Sequence, residues 1–128
     1  MENDVVIIED FEEKVDVMRF YYRAIGDGKF LQALNEFRLG QGFGIGPVCC
    51  TFAMDYEPWE EGYFGDSGVN FSIHPPLVEI EENAIVDYET FYQYLKEASD
   101  NYLARNPHDK DKVKACLQEI KHKFDISQ

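Results

Sequence analysis

Residues 54–68 read MDYEPWEEGYFGDSG. Asp55, Glu57, Glu60, Glu61 and Asp66 are interleaved there with Tyr56, Trp59, Tyr63 and Phe64, without a single lysine or arginine. Carboxylates at this density could hold a metal ion, exchange protons or bind a cationic surface, and spacing separates these options. In a calcium loop starting at Asp55, Trp59 would occupy a ligand position and Glu60 the sharp-turn glycine position. Tryptophan offers no ligand oxygen and glutamate resists that turn. Zinc requires His/Cys spacing that is missing, and the adjacent Cys49 and Cys50 do not readily close on one tetrahedral ion. His74, His108 and His122 lie far apart in the chain, with no nucleophile-elbow motif beside them. The glycines of LGQGFGIGP, at 40, 42, 44 and 46, lack the lysine and the helix start of a phosphate loop. They read as the bend from a helix into a strand.

Binding is the chemistry that survives. Proline stiffens Tyr56-Glu57-Pro58-Trp59, tyrosine and tryptophan are enriched among interface anchors, and the flanking acids accept hydrogen bonds from lysine and arginine. Such a surface suits a cationic cleft: apolar area for affinity, negative field for association rate and partner selection. The expected binding residues are therefore Asp55, Tyr56, Glu57, Trp59, Glu60, Glu61 and Asp66, with Glu79, Glu81 and Glu82 as a second acidic group. Tyr63 and Phe64 read as core residues leading into a strand. No cofactor or metal ligand is expected. Two alternatives stay open: an acidic nucleic-acid mimic or adaptor binding another basic protein, and a divalent-metal-binding or small enzyme domain using the carboxylates.

The elements that must position these residues follow from periodicity. Phe11, Val15, Met18, Tyr22 and Ile25 line one helix face, with an acid at Glu9 or Asp10 and a stop at Gly26. A second helix runs near Asp27 to Leu39, with Phe30, Leu31, Leu34 and Phe37 on its face and Gly40 ending it. A third starts at Asp87 or Tyr88, carries Phe91, Leu95, Ala98 and Tyr102, and ends at Asn106-Pro107. A fourth opens with Asn106 as N-cap and Pro107 at its first position, and buries Val113, Leu117, Ile120 and Phe124. Its lysines read as a solvated surface. Between the helix pairs, IGPVCCTFAM and the alternating GVNFSIH read as strands. LVEIE with AIV adds one or two more, and the N-terminal VVII is a candidate edge strand. Short connections favour antiparallel pairing. The expected fold is α+β: one domain over residues 1–128, with a central, mainly antiparallel sheet on which two N-terminal and two C-terminal amphipathic helices pack.

The 128 residues carry a formal charge of −13, unevenly placed. No basic residue lies between Arg38 and Lys96, where ten acids fall, whereas from Glu89 onward seven acids meet seven bases. This field repels nucleic acid and anionic membranes and draws basic proteins. No apolar run approaches the roughly 20 residues of a membrane span, and MENDVVIIEDFEEK lacks the basic start and long apolar segment of a secretory signal. The expected location is the cytoplasm. Cys49, Cys50 and Cys116 then read as reduced, mostly buried thiols.

Three stretches, FLQALNEFRLGQGFG, EPWEEGYFGDSGVNF and DYETFYQYLKEASDNYLARNPHDKDKVKACLQEIKHKF, together resemble the CdiI-type immunity proteins of bacterial contact-dependent growth inhibition, in the branch facing ribonuclease toxins. The segment EGYFGDSGVNF beside the upstream glycine cluster is the most telling. The resemblance implies a cytoplasmic, non-enzymatic protein. It would bind the C-terminal nuclease domain of a CdiA toxin, one to one, and block RNA cleavage. It supplies no catalytic residues and no binding set. The binding residues named above rest on charge and aromatic content alone.

Overall fold

A computed structural model describes residues 5–126. Asp10 opens the first helix, α1 (Phe11–Ile25), with its carboxylate accepting from the Glu13 amide at 3.1 Å. Gly26, at φ +72°, ends α1 and immediately precedes α2 (Asp27–Arg38). After a long central section come α3 (Tyr88–Arg105) and α4 (Lys110–Lys123). The strands are β1 (Val5–Ile7), β2 (Phe43–Ile45), β3 (Val48–Phe52), β4 (Val69–Ile73) and β5 (Glu81–Val86), ordered β1-β5-β4-β3-β2 in one sheet.

The α+β class and the mainly antiparallel sheet hold, with one refinement and two corrections. The sheet is mixed: β1 runs parallel to β5, while the other pairs are antiparallel. VVII does supply an edge strand. Its long separation in sequence from β5 places it beside that strand without a hairpin constraint, so a parallel pairing is open to it. The expected two N-terminal and two C-terminal helices do not all pack on the sheet. α1 and α2 are separated by Gly26 alone, α1 lies across β3, β4 and β5, and α4 packs chiefly against α2. The glycine cluster is more than a bend. Phe43–Ile45 forms β2, joined to β3 by a turn at Gly46, φ +54°, and Pro47. Gly42 is required by close approach, since a Cβ there would strike the Cys50 carbonyl oxygen.

Smaller differences have local causes. Leu77–Ile80 is turn and bend, so LVEIE and AIV yield only β5. α4 begins at Lys110 after a 3-10 turn, Pro107–Asp109, because the Asn106 side chain donates to Asp27 and to the Tyr102 carbonyl and caps nothing. In α1 the buried face includes Val17 and Tyr21, while Phe11 remains half exposed. All four expected core positions of α3 are buried.

The helices cover one face of the sheet. Phe37 of α2, Phe52 of β3 and Phe91 of α3 meet edge to face with ring centroids 5.4–5.6 Å apart, and Phe71 of β4 lies 6.2 Å from Phe91. Phe124, just past α4, reaches Phe52 at 5.1 Å. Such ring pairs add about 0.5–1.5 kcal/mol each beyond burial. They lock the end of β3, where the acidic stretch begins.

Asp87 caps α3 by accepting from the Thr90 amide at 2.8 Å. The Thr90 hydrogen bonds hold its carboxyl below the usual aspartate value. Asp87→Ala is expected to cost about 1 kcal/mol at pH 7. A depressed folded pKa contributes stability above the unfolded value of about 3.9 and loses it as pH falls through the folded one. The gap between wild type and variant in urea melts therefore narrows below about pH 4, and a gap constant down to full protonation would refute the capping role.

Candidate functional site

The acidic stretch forms the connection from β3 to β4 and is packed on itself. At its base the Ala53 amide donates to the Gly68 carbonyl at 3.0 Å. A 3-10 turn, Ala53–Asp55, follows, with Asp55 Oδ2 accepting from the Phe52 amide at 2.8 Å. Glu60 Oε1 accepts from the Glu57 amide at 2.7 Å, while the Glu60 amide donates to the Glu57 carbonyl at 2.9 Å. The Tyr63 hydroxyl donates to Asp66 Oδ1 at 2.6 Å, and this bond raises the Tyr63 pKa. The rings of Tyr56 and Phe64 meet edge to face at 6.3 Å. Gly62, φ +99°, passes so close that a Cβ would sit 3.0 Å from the Tyr56 ring. The loop is thus fixed by three side-chain bonds across i and i+3, at Phe52/Asp55, Glu57/Glu60 and Tyr63/Asp66.

This divides the predicted residues by role. Asp55, Glu60 and Asp66 are engaged within the loop, and Tyr56 and Phe64 form its half-buried floor. Tyr63, read from the sequence as core, is also only half-buried. Glu57 and Glu61 are exposed, and no cation meets their carboxylates among the described residues. Trp59 is 81% exposed, more than any other large apolar side chain described. A rigid loop therefore holds one indole and two unpaired carboxylates in water.

Glu79, Glu81 and Glu82 do not join this group. The loop leaves β3 and enters β4 where Phe52 pairs with Val69, whereas Glu82 pairs with Ile73 at the opposite end of β4. Four residues of strand rise separate the two ends by about 13 Å. Glu81 is also committed elsewhere: Oε1 lies 3.2 Å from His74 Nδ1, and Oε2 accepts from Asn83 at 3.1 Å. His74 Nε2 in turn lies 3.3 Å from Ser72 Oγ.

Ser72, His74 and Glu81 thus stand in the order of a hydrolytic triad, an arrangement that their separation in the chain hides. Nucleophilic catalysis also requires an exposed hydroxyl and free amides for an oxyanion. Ser72 is 6% exposed, and β4 is laddered on both sides by β3 and β5. With Asn83 donating to Glu81 and Asn70 to Asn83, the set is a polar network on the sheet face away from the helices. Among the described residues no three His, Cys, Asp or Glu side chains are placed to hold a metal ion. No described helix is long and apolar enough to cross a membrane.

Fold and loop together give a helix-backed sheet that carries an acidic-aromatic loop between β3 and β4. A family model for CDI immunity proteins matches residues 14–117, and the chain belongs to that family. No curated protein matches the sequence. The match includes the loop and all of β2–β5 and α2–α3.

Proposed function

We propose that this protein neutralises the ribonuclease domain at the C-terminal end of a cognate CdiA toxin, one to one, by seating the β3–β4 loop in the toxin's basic RNA-binding cleft. Membership of the CDI immunity protein family supports toxin binding. The observation that carries the mode of binding is the exposed Trp59 flanked by unpaired Glu57 and Glu61 on a loop with no basic residue. A ribonuclease must attract a polyanion, so its cleft is basic, and an acidic surface occupies such a cleft through the same field. Like-charge repulsion among the loop carboxylates is relieved when cations arrive, which adds to the attraction. Because the loop is already ordered by its internal bonds, little conformational entropy is lost on docking.

In this reading Trp59 fills an apolar recess, Glu57 and Glu61 pair with lysine or arginine of the toxin, and Asp55, Glu60 and Asp66 keep the loop in shape. Glu79, Glu81 and Glu82 lie outside the central contact. The protein acts by occupancy in the cytoplasm and catalyses nothing. Co-expression with the toxin domain encoded beside it tests this: cells keep growing and total RNA stays intact. Degraded RNA despite a co-purifying complex would rule out cleft occlusion.

A further inference from the structure

A second feature lies where the junction of α1 and α2 faces α3. A cavity of about 520 Å³ opens there, lined by Tyr22, Phe30 and Tyr102 and rimmed by Arg19, Arg23 and Arg105. Its volume falls within the roughly 300–1,000 Å³ of ligand pockets. Three of the chain's four arginines thus converge on one opening in a protein of charge −13.

Two of these arginines are satisfied. Arg19 grips Glu97 through two bonds of 2.8 and 2.9 Å, and Arg105 grips Asp27 through two of 2.8 Å. The arginine hydrogen bonds hold both carboxyls below their usual values, so each pair stays ionised and close to neutral. Arg23 differs. It stands 6.0 Å over the Phe20 ring and meets no carboxylate among the described residues. The wall is aromatic, with Phe30 and Tyr102 stacked at 4.7 Å. Tyr22, also in the wall, keeps its hydroxyl shut off from the cavity, without accessible surface.

We infer that this cavity binds a small organic anion with a flat apolar body, its carboxylate or phosphate on Arg23 and its body against Tyr22, Phe30 and Tyr102. The guanidinium suits either head group, because its paired donors match two oxygens. The site lies on the helical layer, so its occupancy is read without toxin and stands apart from the proposed loop interface.

Benzoate and phenyl phosphate are the probes, with benzyl alcohol as the neutral control and inorganic phosphate as the head group alone. Each is titrated into the full-length protein labelled with ¹⁵N. The amides of Gly26 and Asp27 are expected to shift saturably with the two aryl anions, with Kd of about 1 mM or tighter, and at least tenfold more weakly with either control. Arg23→Gln is expected to weaken aryl-anion binding about tenfold, or about 1.4 kcal/mol. Absence of saturation, equal binding of benzyl alcohol or inorganic phosphate, or wild-type affinity in Arg23→Gln would each overturn the assignment.

Discussion

Trp59→Ala is expected to weaken the complex with the toxin domain about 100-fold, or about 2.7 kcal/mol. Almost all of the loss should fall in the dissociation rate, because a buried anchor determines how long a complex lasts while the charged rim determines how fast it forms. Folding should barely register the change. The indole is 81% exposed in the free protein, and surface substitutions of this kind stay within about 0.5 kcal/mol. For a chain of this length that is about 2 °C of melting temperature. Surface-plasmon dissociation curves beside a thermal melt separate the two quantities. A collapsed melt with unchanged dissociation of the surviving folded fraction would show the indole to be structural.

Reversing the free carboxylates tests the electrostatic half. The double variant Glu57→Lys, Glu61→Lys changes the loop charge by four units without touching the carboxylates that hold the loop together. Glu60 is left alone because its Oε1 accepts from the Glu57 amide. Association with the toxin is expected to slow about 10- to 100-fold at low ionic strength. The difference should shrink strongly near 1 M salt, where the screening length is about 3 Å. The melting temperature should hold or rise, because two like charges leave a crowded loop. Stopped-flow association at two salt concentrations decides it. An unchanged rate with unchanged salt dependence would remove the loop from the encounter surface.

Much of this architecture is readable from local chemistry. Asp10, Gly26 and Asp87 mark helix ends through the caps they supply, and the α3 face of Phe91, Leu95, Ala98 and Tyr102 is buried as its periodicity requires. Non-local choices are harder to read. Nothing in Val5–Ile7 announces a parallel partnership with β5, since that register is set by the remainder of the sheet. Phe43–Ile45 is masked as a strand by its glycine neighbours, although Gly42 is needed because the Cys50 carbonyl presses against it.

The acidic-aromatic segment was visible as composition, and its internal division was not. Density of carboxylates draws attention to Asp55, Glu60 and Asp66 as much as to Glu57 and Glu61, yet only geometry shows the first three turned onto the loop itself. Charge likewise groups Glu79, Glu81 and Glu82 with the loop, while the β3–β4–β5 register sends them to the far end of β4. The Arg19, Arg23 and Arg105 cavity is invisible to charge counting, because the helices that bring the arginines together are distant in sequence.

Trp59 is the chain's only tryptophan, so a 5-fluorotryptophan label reports on the proposed contact through one ¹⁹F resonance. Titrated with a catalytically inactive toxin domain, that resonance should move, saturate at one equivalent, and lose the H₂O/D₂O isotope shift that marks an indole in water. A toxin domain that co-elutes with the labelled protein while both the resonance and its isotope shift stay unchanged would contradict the account.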